Sequence, residues 1–172
     1  MKRLFFALWP SSETRMQVGK MSQSVYSKDL KKVKADNLHV TLVFLGNVDA
    51  ELEIMIRQSM KNISGQPFTL YFDQLAFWKS PRVLCLTTLQ YDQQLSILVE
   101  SLKKELKACG VAVEDRLYKP HITLARKARR LIEVDVPPIE WLAQSFCLVE
   151  SISTSDGVHY QVLQRWNFKS GL

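Results

Sequence analysis

Cysteine is rare in this chain: Cys85, Cys109 and Cys147 are the only three, they form no C-x-x-C pair, and any pairing leaves one thiol over. A disulfide scaffold is excluded, a reducing, cytoplasmic setting is expected, and the thiols read as small buried apolar groups. Long apolar runs are missing too. The run from Leu4 to Trp9 stops at Pro10, which is short for a signal-peptide core, and no small-residue cleavage site follows. Nothing approaches the roughly 20 apolar residues of a membrane span. Glycine numbers only 6 and builds no phosphate loop, no G-x-S-x-G surrounds a serine, and no low-complexity linker marks a boundary. Acidic residues are the minority, 17 against 23 Lys and Arg, so a formal charge of +6 favours anionic partners.

What is present suits a globular protein. The chain has 172 residues, 47% hydrophobic and 23% charged, enough to bury a core in a single two-lobed domain over 1–172. The Leu4 to Trp9 run reads as a strand, and Ser11 or Ser12 can cap a helix carrying Val18, Met21 and Val25. Leu38 to Leu45 is strand-like and ends at Gly46; Asp49 then caps a helix with Leu52, Met55, Ile56 and Met60 on one face. Phe68 to Trp78 and Val83 to Leu89 form a hairpin around Ser80-Pro81. A third helix starts at Asp92, buries Leu95, Leu98, Val99, Leu102 and Leu106, and stops at Gly110. His121 to Ala125 is a short strand. After a loop with Pro137-Pro138 come Ser145 to Thr154 and Val158 to Phe168, joined at Asp156-Gly157. The order β-α-β-α-β-β-α-β-β-β is an α+β mixture.

Two of the three histidines open nearly the same phrase, His39-Val40-Thr41-Leu42 and His121-Ile122-Thr123-Leu124, about half a chain apart. In a strand, alternation puts His and Thr on one face and the aliphatics on the other. Each copy then buries its aliphatics and presents an imidazole and a hydroxyl, roughly 6.6 Å apart at Cα, to one small group such as a phosphate. Two imidazoles flanking a phosphorus suffice as acid and base for phosphodiester cleavage, since histidine holds either protonation state near neutral pH. Threonine hydroxyls can donate to the non-bridging oxygens, and Arg126, three residues past Thr123, can bring a guanidinium fork to the same group. The remaining basic residues, Lys28 to Lys34 and Lys127 to Arg130, form an electrostatic background.

A metal site finds no support, because neither phrase has a nearby acid or second histidine at ligand spacing. His159 lacks the phrase and reads as structural. Trp78, Tyr118, Phe5 and Phe44 could stack on a base, but each reads first as core.

The duplicated phrase resembles the H-x-T-x signature of the two-histidine phosphoesterase superfamily, and within it the RNA 2′,3′-cyclic phosphodiesterases formerly called 2′-5′ RNA ligases. Arg3 to Leu8, Ala35 to Leu38, Lys119-Pro120 and Ala125-Arg126 carry the resemblance along essentially the whole chain. It implies two lobes of antiparallel sheets related by a pseudo-twofold, with helices outside and a central cleft. It also implies that RNA ends bearing a 2′,3′-cyclic phosphate are opened to a 2′-phosphomonoester, with His39 as proton donor and His121 as proton acceptor. Thr41, Thr123 and Arg126 would bind the substrate. No metal, cofactor, membrane or obligatory protein partner is expected, and weak 2′-5′ ligation would be the reverse step. Related readings are a phosphodiesterase of small cyclic nucleotides or 2′-5′ oligoadenylates and a noncatalytic module that binds RNA ends.

Overall fold

The computed structural model describes residues 1–170. Strand β1, Lys2–Leu8, opens the chain, and its last five residues are all buried, as a strand covered on both faces requires. Ser11 accepts from the Thr14 amide and starts helix α1, Ser12–Ser24. A two-residue strand β2, Lys31–Lys32, and a 3₁₀ turn, Ala35–Asn37, lead into β3, Val40–Val48. Gly46, at φ 75°, does not end this strand. It sits beside an irregularity in the pairing with β1, and the ladder continues to Val48. Asp49 caps α2, Ala50–Ser59, whose buried residues are Glu53 and Ile56, followed by Met60; Met55, expected inside, lies on the outer face and is exposed.

The long strand expected over Phe68 to Trp78 is two. β4, Phe68–Phe72, and β5, Gln74–Trp78, separate at Asp73 and enter different sheets. β5 forms a hairpin with β6, Val83–Thr87, across a turn with a cis Ser80-Pro81 bond. Helix α3, Gln93–Ala108, buries the five residues read from its period, and Gly110 at φ 83° closes it. β7, His121–Arg126, follows; then β8, Ile139–Ala143, which pairs with β4 and lies where only a loop was expected. The last hairpin, β9, Ser145–Thr154, and β10, Gly157–Asn167, closes over Ser155 and Asp156, so Gly157 is the first paired residue rather than part of the turn.

The main sheet runs β10-β9-β1-β3-β7-β6-β5, with β2 also paired to β7, and every pairing is antiparallel. Its two halves meet at a single ladder pair, Val40 with Ile122. One face carries Leu4, Phe6, Leu8, Leu84, Leu86, Ile122 and Leu124 into the large cluster that the helices and the β4–β8 pair complete. The opposite face of the β10-β9-β1 half holds a second cluster, Phe5, Ala7, Cys147 and Val149, with Trp9, Tyr160 and Val162 packed on it. Both histidine phrases open toward this second face. No helix among the described residues is long and apolar enough to cross a membrane.

Candidate active site

The ladder pair that joins the halves involves the residue after each histidine, Val40 and Ile122. Continued by one residue, antiparallel register sets His39 opposite Thr123 and Thr41 opposite His121. The two histidines are then diagonal neighbours, roughly 7–8 Å apart at Cα in an undistorted ladder, with a local twofold between them. Electrostatics agrees with this closeness: His121 and Arg126 both disfavour charging of His39.

The backbone treats both rings alike. His39 Nδ1 lies 2.6 Å from the Asn37 carbonyl, and His121 Nδ1 lies 2.9 Å from the Lys119 carbonyl, in each case two residues upstream. A carbonyl only accepts, so Nδ1 carries the hydrogen and Nε2 is left as the reactive nitrogen. Asn37 is itself clamped, its side chain donating to the Val158 carbonyl at 2.7 Å and accepting from the Tyr160 amide at 3.1 Å. Sequence reasoning gave Asn37 no role of its own, because nothing in its neighbourhood announces that β10 will lie beside it.

Each phrase also contains a bulge at its fourth residue. Ala7 pairs with Thr41 and Phe6 with Val43, skipping Leu42; Cys85 pairs with Thr123 and Leu84 with Ala125, skipping Leu124. Plain alternation would send the fifth residue after each histidine to the face opposite His and Thr. The extra residue restores it, as bulges beside functional sites do. Arg126, paired with Val83 on one side and Lys31 on the other, is thereby returned to the face of His121 and Thr123. Phe44, its counterpart in the first phrase, pairs with Phe5 and stands 55% exposed, contrary to its reading as core; Phe5 is buried, and Trp78 and Tyr118 are half-buried.

The walls differ. His39 is stacked on Trp9, with centroids 5.6 Å apart and planes at 16°, and touches Phe5 and Tyr160, each at 5.1 Å. Its Nε2 meets Thr41 Oγ1 at 2.9 Å. Behind Trp9, the Arg15 guanidinium lies 5.5 Å from the ring centroid and donates to the Ala35 carbonyl. His121 contacts Trp78 at 4.5 Å, and among the described residues no bond to Thr123 corresponds to that between His39 and Thr41. Burial pushes the His39 pKa down to about 4; the Asn37 bond opposes this, while His121, Arg126 and Arg15 add to it. Burial also lowers His121, against the Lys119 bond and with Arg116 adding a smaller push.

The first phrase is tied across the join by Tyr118, whose hydroxyl donates to the Thr41 carbonyl at 2.9 Å. Burial raises this phenol, so it stays a neutral donor. Cys85, beside Thr123 in the ladder, is no nucleophile: burial pushes its thiol up to about 12, and Cys147 to about 11. His159 is exposed, pairs opposite Ile152 and lies between Val158 and Tyr160, the two residues that bond Asn37. No group of three or more His, Cys, Asp or Glu converges among the described residues.

The family described as LigT-like phosphoesterase matches this chain over two segments, residues 8–85 and 88–160, with one histidine phrase in each. The RNA 2′,3′-cyclic phosphodiesterase of Escherichia coli (strain K12) is 32% identical over 168 residues, covering 96% of each chain. That of Thermotoga maritima is 31% identical over 184 residues, covering 99% of this chain and 97% of its own. The crystal structure of E. coli LigT in apo form has the same fold, with a TM-score of 0.89 at 31% identity over 98% of both chains, and its complex with 3′-AMP matches at 0.88.

Proposed function

The chain belongs to the LigT-like phosphoesterase family, and on that premise we propose that it opens the terminal 2′,3′-cyclic phosphodiester of RNA to a 2′-phosphomonoester, with two histidines as acid and base and no metal. The observation that carries this reading is the repeated backbone device: two antiparallel strands, joined at one pair, that each hold an imidazole by its Nδ1 and leave Nε2 for chemistry. In the free site both rings sit low and are neutral at pH 7. A phosphodiester anion between them reverses the local field and draws in one proton, which the pair shares. The family resemblance assigns that proton to His39. His121 Nε2 takes a proton from water as the water oxygen bonds to phosphorus. The bond from phosphorus to O3′ breaks, and His39 Nε2–H protonates the departing O3′. Thr41, Thr123 and Arg126 hold the non-bridging oxygens, where charge builds. With the 5′-hydroxyl of a second strand in place of water, His121 takes its proton as O5′ bonds to phosphorus, the bond from phosphorus to O3′ breaks and His39 protonates O3′, leaving a 2′-5′ linkage, so weak ligation accompanies the activity.

The test is product identity. A cyclic-ended oligonucleotide incubated in EDTA should give a phosphorus NMR signal of a 2′-phosphomonoester and no 3′-phosphate. Turnover confined to 2′-5′ oligoadenylate, or abolished by EDTA, would reject the proposal. Tight binding without product would favour a noncatalytic end-binding module.

A further inference from the structure

Strand β2 brings together two runs of cations that are distant in the chain. Lys31 pairs with Arg126 on the edge of the strand that carries His121 and Thr123. On the other side, the Ala128 amide donates to the Arg82 carbonyl at 3.2 Å, drawing the β5–β6 turn alongside Lys127. Lys31, Arg82, Arg126 and Lys127 are exposed, and none has a carboxylate partner among the described residues. Two neighbours with the same charge are otherwise engaged. Arg129 lies 3.4 Å from Asp29, and the Lys32 ammonium donates to the Ser22 carbonyl. The open groove beside the start of β5 is acidic instead, with Asp73, Glu133 and Asp135 in its lining. Positive charge therefore forms a ridge across the Arg126 end of β7, from Lys31 on one edge to Arg82 on the other, while the acidic groove lies at the opposite end of β5, which pairs through Thr87 with His121.

We infer that this ridge binds backbone phosphates of the RNA on the 5′ side of the terminal cyclic nucleotide, so that the protein favours cyclic ends of strands over cyclic mononucleotides. The inference rests on the function proposed above and adds to it the part of the substrate beyond the reacting phosphate. With its bulge, β7 runs roughly 13 Å from His121 to Arg126, opposite the four steps from Thr87 to Val83, the reach of about two nucleotides. A row of exposed, unpaired cations fits phosphates, which need charge and no particular base.

The experiment compares nucleoside 2′,3′-cyclic phosphate with a short cyclic-ended oligonucleotide across salt concentrations, and measures binding of the oligonucleotide by fluorescence anisotropy. Lys31→Gln, Arg82→Gln and Lys127→Asn are combined in one variant; asparagine tolerates the left-handed backbone at 127, where φ is 59°. The wild type should favour the oligonucleotide about tenfold in kcat/KM at low salt, with a log–log salt slope near about −2 for three phosphates. The variant should lose that advantage and keep its turnover of the nucleoside. Equal loss on both substrates, no advantage for the oligonucleotide in the wild type, or equal competition by polyglutamate would overturn the ridge. Hydrolysis of neither substrate would reject the proposed reaction instead, and the binding measurement would still decide whether the ridge holds RNA.

Discussion

His39 stands among three aromatic rings and bonds to its own threonine, whereas His121 touches one ring and lacks that bond, although both donate Nδ1–H to the carbonyl two residues upstream. The bulge at the fourth residue is common to both copies, yet it delivers Phe44 in one and Arg126 in the other. The backbone thus supplies what the copies share, namely ring orientation, tautomer and facing. The side chains brought in by other strands supply what differs. The walls, rather than the phrases, therefore distinguish the two imidazoles.

The largest break in the comparison comes from removing either ring. His39→Ala and His121→Ala should each lower turnover of a cyclic-ended oligonucleotide by about 10²- to 10⁴-fold, and the double variant should be little worse than the weaker single one, because the two act as a unit. Near-normal turnover by either single variant would remove the pairing. The fifth position probes the difference between copies. Arg126→Ala should cost about 10- to 100-fold in kcat/KM for nucleoside 2′,3′-cyclic phosphate, the scale of a lost charge-assisted bond, while Phe44→Ala should cost less than about threefold. Equal losses would mean that the copies contribute alike there.

Titration sharpens the comparison with a smaller effect. Ring NMR of the free protein should place the His39 midpoint at about 4 and that of His121 below its ordinary value, with inorganic phosphate raising both. The linked stability has a definite sign. Between the ordinary value of 6.5 and about 4, the unfolded chain binds a proton that folded His39 refuses, so stability falls as pH drops through that window, by no more than about 3 kcal/mol. His39→Gln should remove that share of the slope in chemical denaturation and leave the share from His121. An unchanged slope would show that the first ring is not held neutral by its surroundings.

Much of this was legible in the letters. The stripe from Leu95 to Leu106 and the caps at Ser11, Asp49 and Asp92 are local signals, and local chemistry decides them. The repeated phrase identified His39, Thr41, His121 and Thr123 because strand alternation alone puts each pair on one face. Nearness in sequence points to Arg126, but what returns it to that face is a pairing irregularity with β6. Ile139, Trp141 and Ala143 alternate as a strand should, yet Pro137-Pro138 hid them, and only pairing with β4 makes them one. Asn37, Trp9 and Tyr160 acquire their roles from partners in other strands, and such long-range neighbours leave no local mark.

The extra residue at Leu124 makes this part of the chain a matter of counting. Exchanging one side chain for another between Thr123 and Arg126 changes packing, but adding a residue after Leu124 or deleting Ala125 turns the guanidinium to the reverse side of the sheet while every letter of the phrase survives. Length across those few positions is therefore a stricter requirement than composition. A descendant of this protein could drift in its aliphatics for a long time and keep Arg126 on the face of His121 and Thr123, whereas one codon gained or lost would take it off that face at once.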